Sequence, residues 1–63
     1  MVYRIIDKNG ALLDYAQEFD EAKRKLAIYE RGAAEGYCRE PRIVGKDYTN
    51  RYVEVNERGE KID

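Results

Sequence analysis

The sequence has no histidine and no serine, and its only cysteine is Cys38. A Ser–His or Cys–His nucleophile pair is therefore excluded. One cysteine cannot form a disulfide within the chain, and without histidine it cannot supply the usual ligands of a zinc site. No catalytic or cofactor motif stands among the other residues. We therefore expect a protein that is not an enzyme, holds no metal or cofactor, and takes no small-molecule substrate.

Long apolar runs and an excess of charge of one sign are also missing. No stretch has the length of a signal peptide or a membrane span, and a lone cysteine fits a reducing compartment, so the sequence predicts a cytoplasmic protein. Twelve basic residues nearly balance thirteen acidic ones, which gives no sign of a polyanionic partner. Because a chain of 63 residues buries only a thin core, a partner subunit is one way to stabilise it.

A β-hairpin is predicted over residues 2–17, and its turn lies in the stretch IIDKNGALL. Two turns compete. One is a two-residue type I′ turn at Asn9 and Gly10. The other is a three-residue loop, a type I turn that Gly10 closes in the left-handed conformation while the Asp7 carboxylate caps backbone N–H groups. The second is favoured, because Asp, Asn and Gly stand at the positions where this turn prefers them.

The choice of turn sets the pairing of the two strands. With the two-residue turn, Arg4 lies opposite Tyr15 and Ile5 opposite Asp14, which mixes polar and apolar residues on both faces. With the three-residue loop, Arg4 lies opposite Asp14 as a favourable charged pair. The core face then consists of Tyr3, Ile5, Leu13 and Tyr15, and the opposite face carries Val2, Ile6, Leu12 and Ala16 around the charged pair.

A single helix is predicted over residues 20–36. Asp20 suits the N-cap and Gly36 suits the C-terminal cap. The apolar stripe recurs at helical spacing and comprises Phe19, Ala22, Leu26, Tyr29 and Ala33. The basic cluster KRK at 23–25 is interpreted as a solvated helix face, since acidic residues stand four positions before two of its members.

A second hairpin is predicted over residues 42–56. Its turn, DYTN, places Asn50 at the left-handed position that Gly10 takes in the first hairpin. In this register Gly45 lies opposite Val53, and Ile43 lies opposite Val55. A third turn of the same kind, NERG, is predicted at residues 56–59. In the tail, residues 57–63, the last residues EKID then either add a short edge strand or fray.

The order strand, strand, helix, strand, strand predicts one small α+β domain, with the helix on one face of an antiparallel sheet of about four strands. This format resembles that of small bacterial and phage accessory proteins, and the resemblance is one of format only. Because one helix covers one sheet face, the other face is expected to be an interface, mainly for a second copy of the chain. Its predicted residues are Val2, Arg4, Ile6, Leu12, Asp14, Val44 and Tyr52.

A second hypothesis is that the same sheet face binds single-stranded nucleic acid. Aromatic side chains can stack on bases while cations contact the phosphates. The candidate contacts are Arg42, Lys46, Tyr48, Arg51 and Tyr52. The near-neutral charge of the chain favours the protein interface over this alternative.

Overall fold

The structure, a computed structural model, describes residues 2–62 of the chain. Its elements are β1 (Val2–Ile6), β2 (Leu12–Ala16), α1 (Phe19–Ala34), β3 (Arg42–Lys46) and β4 (Tyr52–Glu54). The four strands form one antiparallel sheet in the order β2-β1-β3-β4, and α1 packs on one face of it. The predicted α+β class and ββαββ order are confirmed.

The same five-residue turn occurs three times, over residues 7–11, 47–51 and 56–60. In each turn the first side chain, Asp or Asn, accepts hydrogen bonds from the backbone N–H groups of the third and fifth residues. The fourth residue has a positive φ, which is 85° at Gly10, 70° at Asn50 and 80° at Gly59. All three predicted turns are confirmed. They could be predicted from the sequence because their hydrogen bonds join residues at most four positions apart.

The predicted pairing of β1 with β2 is wrong beyond the first pair. Leu12 lies opposite Ile6, as the three-residue loop requires, but Leu13 is then the extra residue of a β-bulge. The bulge shifts the register by one residue, so that Arg4 lies opposite Tyr15 and not opposite a carboxylate. The hairpin therefore has the turn of the three-residue-loop alternative and, beyond the bulge, the strand pairing of the two-residue-turn alternative.

This shift moves three side chains of β2 to the opposite face of the sheet. Asp14, which was predicted beside Arg4, faces α1 instead and contacts its side chains. Tyr15, which was predicted in the core, lies on the uncovered face and is 61% exposed. Ala16, which was predicted on that face, is buried opposite Tyr3.

Helix α1 begins one residue earlier than predicted and ends two residues earlier. The residue before it, Glu18, makes no side-chain cap, so the prediction of Asp20 as N-cap is wrong. Asp20 lies in the first turn, where a negative charge is favourable beside the helix dipole. The C-cap residue is Glu35, one position before the predicted Gly36, which follows it with a φ of 91° in the left-handed conformation that commonly ends helices.

The predicted apolar stripe of α1 packs on the sheet. Ala22 is fully buried, and the other stripe residues, Phe19, Leu26, Tyr29 and Ala33, are half-buried. On the outer side of the helix, Ile28 is 68% exposed. The most deeply buried side chain of the sheet is Ile5, which is inaccessible to solvent.

The second hairpin has the predicted register, with Gly45 opposite Val53. Its last strand ends at Glu54, so Val55 does not pair with Ile43 in the sheet. Instead Val55 forms an isolated bridge with Lys61, which makes residues 55–61 a third, very short hairpin. The predicted edge strand of the tail is thus present as a bridge, and residue 63 lies outside the described residues.

The turn of this third hairpin closes the core on the α1 side of the sheet. The hydroxyl of Tyr3 donates a 2.8 Å hydrogen bond to the carbonyl oxygen of Gly59. Gly59 is buried, and a Cβ atom built on it would lie 2.5 Å from Cγ of Phe19. Tyr3 and Phe19 themselves pack with their ring centroids 5.4 Å apart. Both elements that cover the sheet therefore lie on the same face.

Candidate protein-interaction face

We call the sheet face opposite α1 the open face. Direct cross-strand partners share a face, so the register assigns its members. They are Val2, Arg4 and Ile6 of β1, Leu12 and Tyr15 of β2, Arg42, Val44 and Lys46 of β3, and Tyr52 and Glu54 of β4. None of the elements that the structure describes packs over this face.

Six of the seven residues predicted for the interface lie on the open face. The exception is Asp14, which the bulge moves to the α1 side. Tyr15 was not among the predicted interface residues, but the bulge brings it to the open face. The signal that could have found it is the pairing of Arg4 with Tyr15 in the two-residue-turn alternative.

Two of the predicted interface residues are not available to a partner. Ile6 and Val44 are each only 2% exposed, although they lie on the open face. Their cross-strand partners are Arg42 and Arg4, whose long aliphatic stems can cover apolar neighbours. Ile6 and Val44 therefore belong to a second, shallow layer of the core.

The apolar surface that remains accessible comes from four side chains at the periphery of the open face. Leu12 is 53% exposed, Tyr15 61%, Tyr52 45% and Val2 38%. Two of the four are tyrosines, a residue type that contributes strongly to binding at protein interfaces. The accessible apolar surface thus forms a discontinuous rim around the buried Ile6 and Val44.

The open face carries three basic side chains and one acidic side chain. Arg42 donates a 2.9 Å hydrogen bond to the carboxylate of Glu54, which neutralises both. The guanidinium carbon of Arg4 lies 5.5 Å from the centre of the Tyr15 ring. Nζ of Lys46 lies 6.0 Å from the centre of the Tyr52 ring. Within residues 2–62 neither Arg4 nor Lys46 forms an ion pair, so the face presents two net positive charges, each beside a tyrosine.

The five residues proposed as nucleic-acid contacts do not form one surface. Arg42, Lys46 and Tyr52 lie on the open face, and the first of these is paired with Glu54. Tyr48 and Arg51 lie in the turn after β3, where Tyr48 is fully exposed. The basic cluster at 23–25 lies on α1, and two of its lysines pair with acidic side chains of the same helix.

The outer edge of β2 is closed by side chains. The hydroxyl of Tyr29 donates a hydrogen bond to the carbonyl oxygen of Leu13 (3.1 Å), and Nζ of Lys25 donates one to that of Tyr15 (2.8 Å). The backbone N–H of Tyr15 donates to the carboxylate of Asp14 (2.7 Å). A strand from another chain would have to displace these bonds, and a bulged edge pairs poorly in any case.

The edge of β4 is partly covered by the chain itself. The backbone N–H of Ile62 donates a 3.1 Å hydrogen bond to the carbonyl oxygen of Glu54. Together with the bridge between Val55 and Lys61, this bond lays residues 60–62 beside the end of β4. Backbone groups at both edges of the sheet are thus already engaged, at the β2 edge by side chains and at the end of β4 by residues 60–62.

Asp14 is the centre of the hydrogen-bond network that closes the β2 edge. Its carboxylate accepts bonds from Nζ of Lys25 (3.4 Å) and from the hydroxyl of Tyr29 (3.1 Å), whose single O–H is shared between this carboxylate and the carbonyl of Leu13. The lysine also pairs with Glu21 at 3.3 Å. The backbone bond from Tyr15 lowers the pKa of Asp14 most, against an opposing effect of burial, and the bonds from Tyr29 and Lys25 lower it further. Burial and the neighbouring carboxylate raise the pKa of Tyr29.

We expect this network to make stability depend on pH in the acidic range. Because the pKa of Asp14 in the folded chain lies below its usual value of 3.8, ionised Asp14 stabilises the fold fully above that value. This stabilisation is lost as the pH falls through the lower, folded pKa. Asp14→Asn should therefore lower the free energy of unfolding by about 1 kcal/mol at neutral pH, a modest effect because the side chain is 29% exposed.

Urea unfolding at a series of pH values measures this effect. The difference in the free energy of unfolding between the wild-type protein and Asp14→Asn should decrease below about pH 4, as the carboxylate becomes protonated. Glu57→Gln, which removes an exposed carboxylate from the terminal turn, is the matched control and should change little. If the loss in free energy of unfolding caused by Asp14→Asn stays constant through the acidic range, the charge of Asp14 does not stabilise the fold.

One depression lies between the end of α1 and the segment that follows it. Its volume is about 560 Å³, and its lining includes Lys8, Glu30, Cys38 and Arg39. The thiol of Cys38 is half-buried and donates a 3.1 Å hydrogen bond to the carbonyl oxygen of Tyr29. The groups with clearly shifted pKa values, Asp14, Lys25, Tyr29 and Asp47, do not line this depression.

Over residues 2–62 no three metal-ligating side chains cluster together. In the same part of the chain, no helix has the length and apolar character needed to cross a membrane. Comparisons with protein-family models, with curated proteins and with solved structures found no significant match. The function must therefore be inferred from the surfaces of the molecule.

Proposed function

We propose that this protein is a small interaction module, not an enzyme, and that its open face binds another protein. The observation that carries the proposal is the grouping of Leu12, Tyr15, Tyr52 and Val2 on one uncovered sheet face. A face of this kind, with apolar and aromatic side chains among charged ones, has the composition of a protein interface.

Several backbone groups at the two sheet edges are already engaged, which supports the face over the edge as the binding surface. Proteins that bind by adding a strand need a row of free backbone groups at an edge. At the β2 edge, side chains of α1 bind the carbonyl oxygens of Leu13 and Tyr15, and the carboxylate of Asp14 binds the N–H group of Tyr15. At the β4 edge, Ile62 occupies the carbonyl of Glu54. The open face needs no such rearrangement.

Photocrosslinking in the native cells tests the proposal with three matched tyrosine positions. Tyr52 and Tyr15 lie on the open face, whereas Tyr37 is 83% exposed in the segment beyond α1. Each is replaced in turn by p-benzoylphenylalanine, which reacts with neighbouring C–H bonds on irradiation. We expect a discrete protein adduct from positions 52 and 15 and none from position 37, because only the first two face the partner.

The mass of the adduct identifies the class of partner. A product of twice the 7.4 kDa mass of the chain indicates a second copy, the partner predicted from the sequence. Any other discrete mass indicates a different protein. Equal labelling from all three positions, or labelling from position 37 alone, would contradict a role for the open face.

A further inference from the structure

We propose that the partner of the open face is an acidic, extended segment of a different protein, bound weakly and reversibly. This inference rests on the interaction function proposed above and specifies its partner. It follows from three properties of the face, which are its charge, its area and the small number of cations that are free to bind.

Charge argues against a second copy of the chain. In a dimer with two-fold symmetry the same surface of each copy meets the other. The open face, which has a net positive charge, would then meet the same positively charged face of the other copy, and like charges across an interface are costly. The chain as a whole carries a net charge of −1, so the positive open face is a local feature. A partner segment with carboxylates complements it.

Area also argues against a stable dimer. The open face comprises only ten residues, and β4 contributes just two of them. A stable interface contains about 20–30 residues on each partner. The apolar layer is further reduced because Ile6 and Val44 are already buried. A surface of this size matches a short segment and a transient contact.

The side chains of the face fit an acidic peptide that also carries apolar residues. Arg4 and Lys46 can each bind a carboxylate while the adjacent rings of Tyr15 and Tyr52 contact its aliphatic stem. Leu12 and Val2, at the periphery of the face, offer contacts to apolar side chains. Because neighbouring residues of an extended peptide point in opposite directions, alternate residues of the segment would face the sheet.

The same observations disfavour nucleic acid as the ligand. Binding to a phosphate backbone depends on several cations, and each contact contributes to a steep dependence on salt. Among residues 2–62, Arg4 and Lys46 are the only cations of the open face without an ion pair, because Arg42 pairs with Glu54, and the Arg4 guanidinium also donates a hydrogen bond to the carbonyl oxygen of Tyr3. Apolar side chains such as Leu12 have no stacking role with bases.

Nuclear magnetic resonance of the full ¹⁵N-labelled chain tests the inference with two synthetic probes. The first is a peptide that alternates Glu with Tyr or Leu, and the second is the matched peptide with Lys in place of Glu. We expect the acidic peptide to shift the signals of open-face residues and to bind about tenfold more tightly than the basic one. Lys46→Gln and Arg4→Gln should each weaken binding about threefold, whereas Arg24→Gln on the exposed side of α1 should not.

Each contrary outcome overturns the inference in a distinguishable way. Equal binding of both peptides would remove the charge preference and leave the proposed interaction function intact. Concentration-dependent shifts on the open face without peptide, with a doubled mass by light scattering, would assign the face to a second copy. Tighter binding of an oligothymidylate, lost in Lys46→Gln, would assign it to nucleic acid. If the acidic peptide shifts nothing at millimolar concentration, the inference is wrong, and the crosslinking experiment alone decides the function of the face.

Discussion

Gly59→Ala is expected to lower the free energy of unfolding by about 3 kcal/mol, and the melting temperature by roughly 15 °C. Two costs combine at this position. The backbone has a φ of 80°, which alanine resists, and the added Cβ would lie 2.5 Å from Cγ of Phe19. The nearest atoms are Cβ, Cγ and Cδ1 of Phe19, close to the backbone, where the side chain has little freedom to move away. They lie in the packed layer between α1 and the terminal turn. Thermal unfolding followed by far-ultraviolet circular dichroism measures the loss.

Gly10→Ala is the matched control for this prediction. Gly10 occupies the same position of the same turn type with a φ of 85°, but nothing lies within 4 Å of the Cβ that would be added. Its substitution should therefore cost only the backbone strain, about 1 kcal/mol. Equal losses at the two positions would show that the contact with Phe19 is relieved at no cost, and that the terminal turn is not part of the core.

Ile6→Glu is expected to unfold the protein. Although Ile6 lies on the open face, it is only 2% exposed, so the substitution removes a buried apolar side chain and places an ionisable group in its site. The loss should be about 4 kcal/mol or more, which is comparable to the whole stability of a domain of this size. Circular dichroism should show loss of the helix signal at neutral pH.

Leu12→Glu provides the contrast on the same face. Leu12 is the direct cross-strand partner of Ile6, but it is 53% exposed. Its substitution should change stability by less than about 1 kcal/mol and leave the helix signal intact. A folded Ile6→Glu protein would mean that the second core layer under the open face is absent. Experiments on binding should therefore use Leu12 or Tyr52, because a loss of binding in Ile6→Glu would report only unfolding.

The sequence by itself determined the features whose causes lie within a few residues. Asp7 binds the N–H groups of Asn9 and Ala11, and Gly10 supplies the positive φ, so all the parts of the first turn lie within five residues. The other two turns follow the same pattern for the same reason. The helix stripe and the order of the elements were also readable, because helical spacing and strand composition are local properties of the chain.

The register of β1 with β2 was decided only by the tertiary structure. Both pairings are compatible with the local sequence, and the observed one places Asp14 among polar side chains of α1. Lys25 and Tyr29, eleven and fifteen residues further along the chain, bind the carboxylate on the helix side of the sheet. A pairing rule that considers only the two strands cannot include these partners.

The accessible surface of the open face likewise depended on the tertiary structure. The alternation of side chains along β1 and β3 placed Ile6 and Val44 correctly on that face, but it could not show that both are buried. Their burial depends on the side chains of neighbouring strands, and the pairing of β1 with β3 joins residues about forty positions apart. The sequence therefore determined which residues belong to each face of β1 and β3. Packing between distant segments decided which of them a partner can reach.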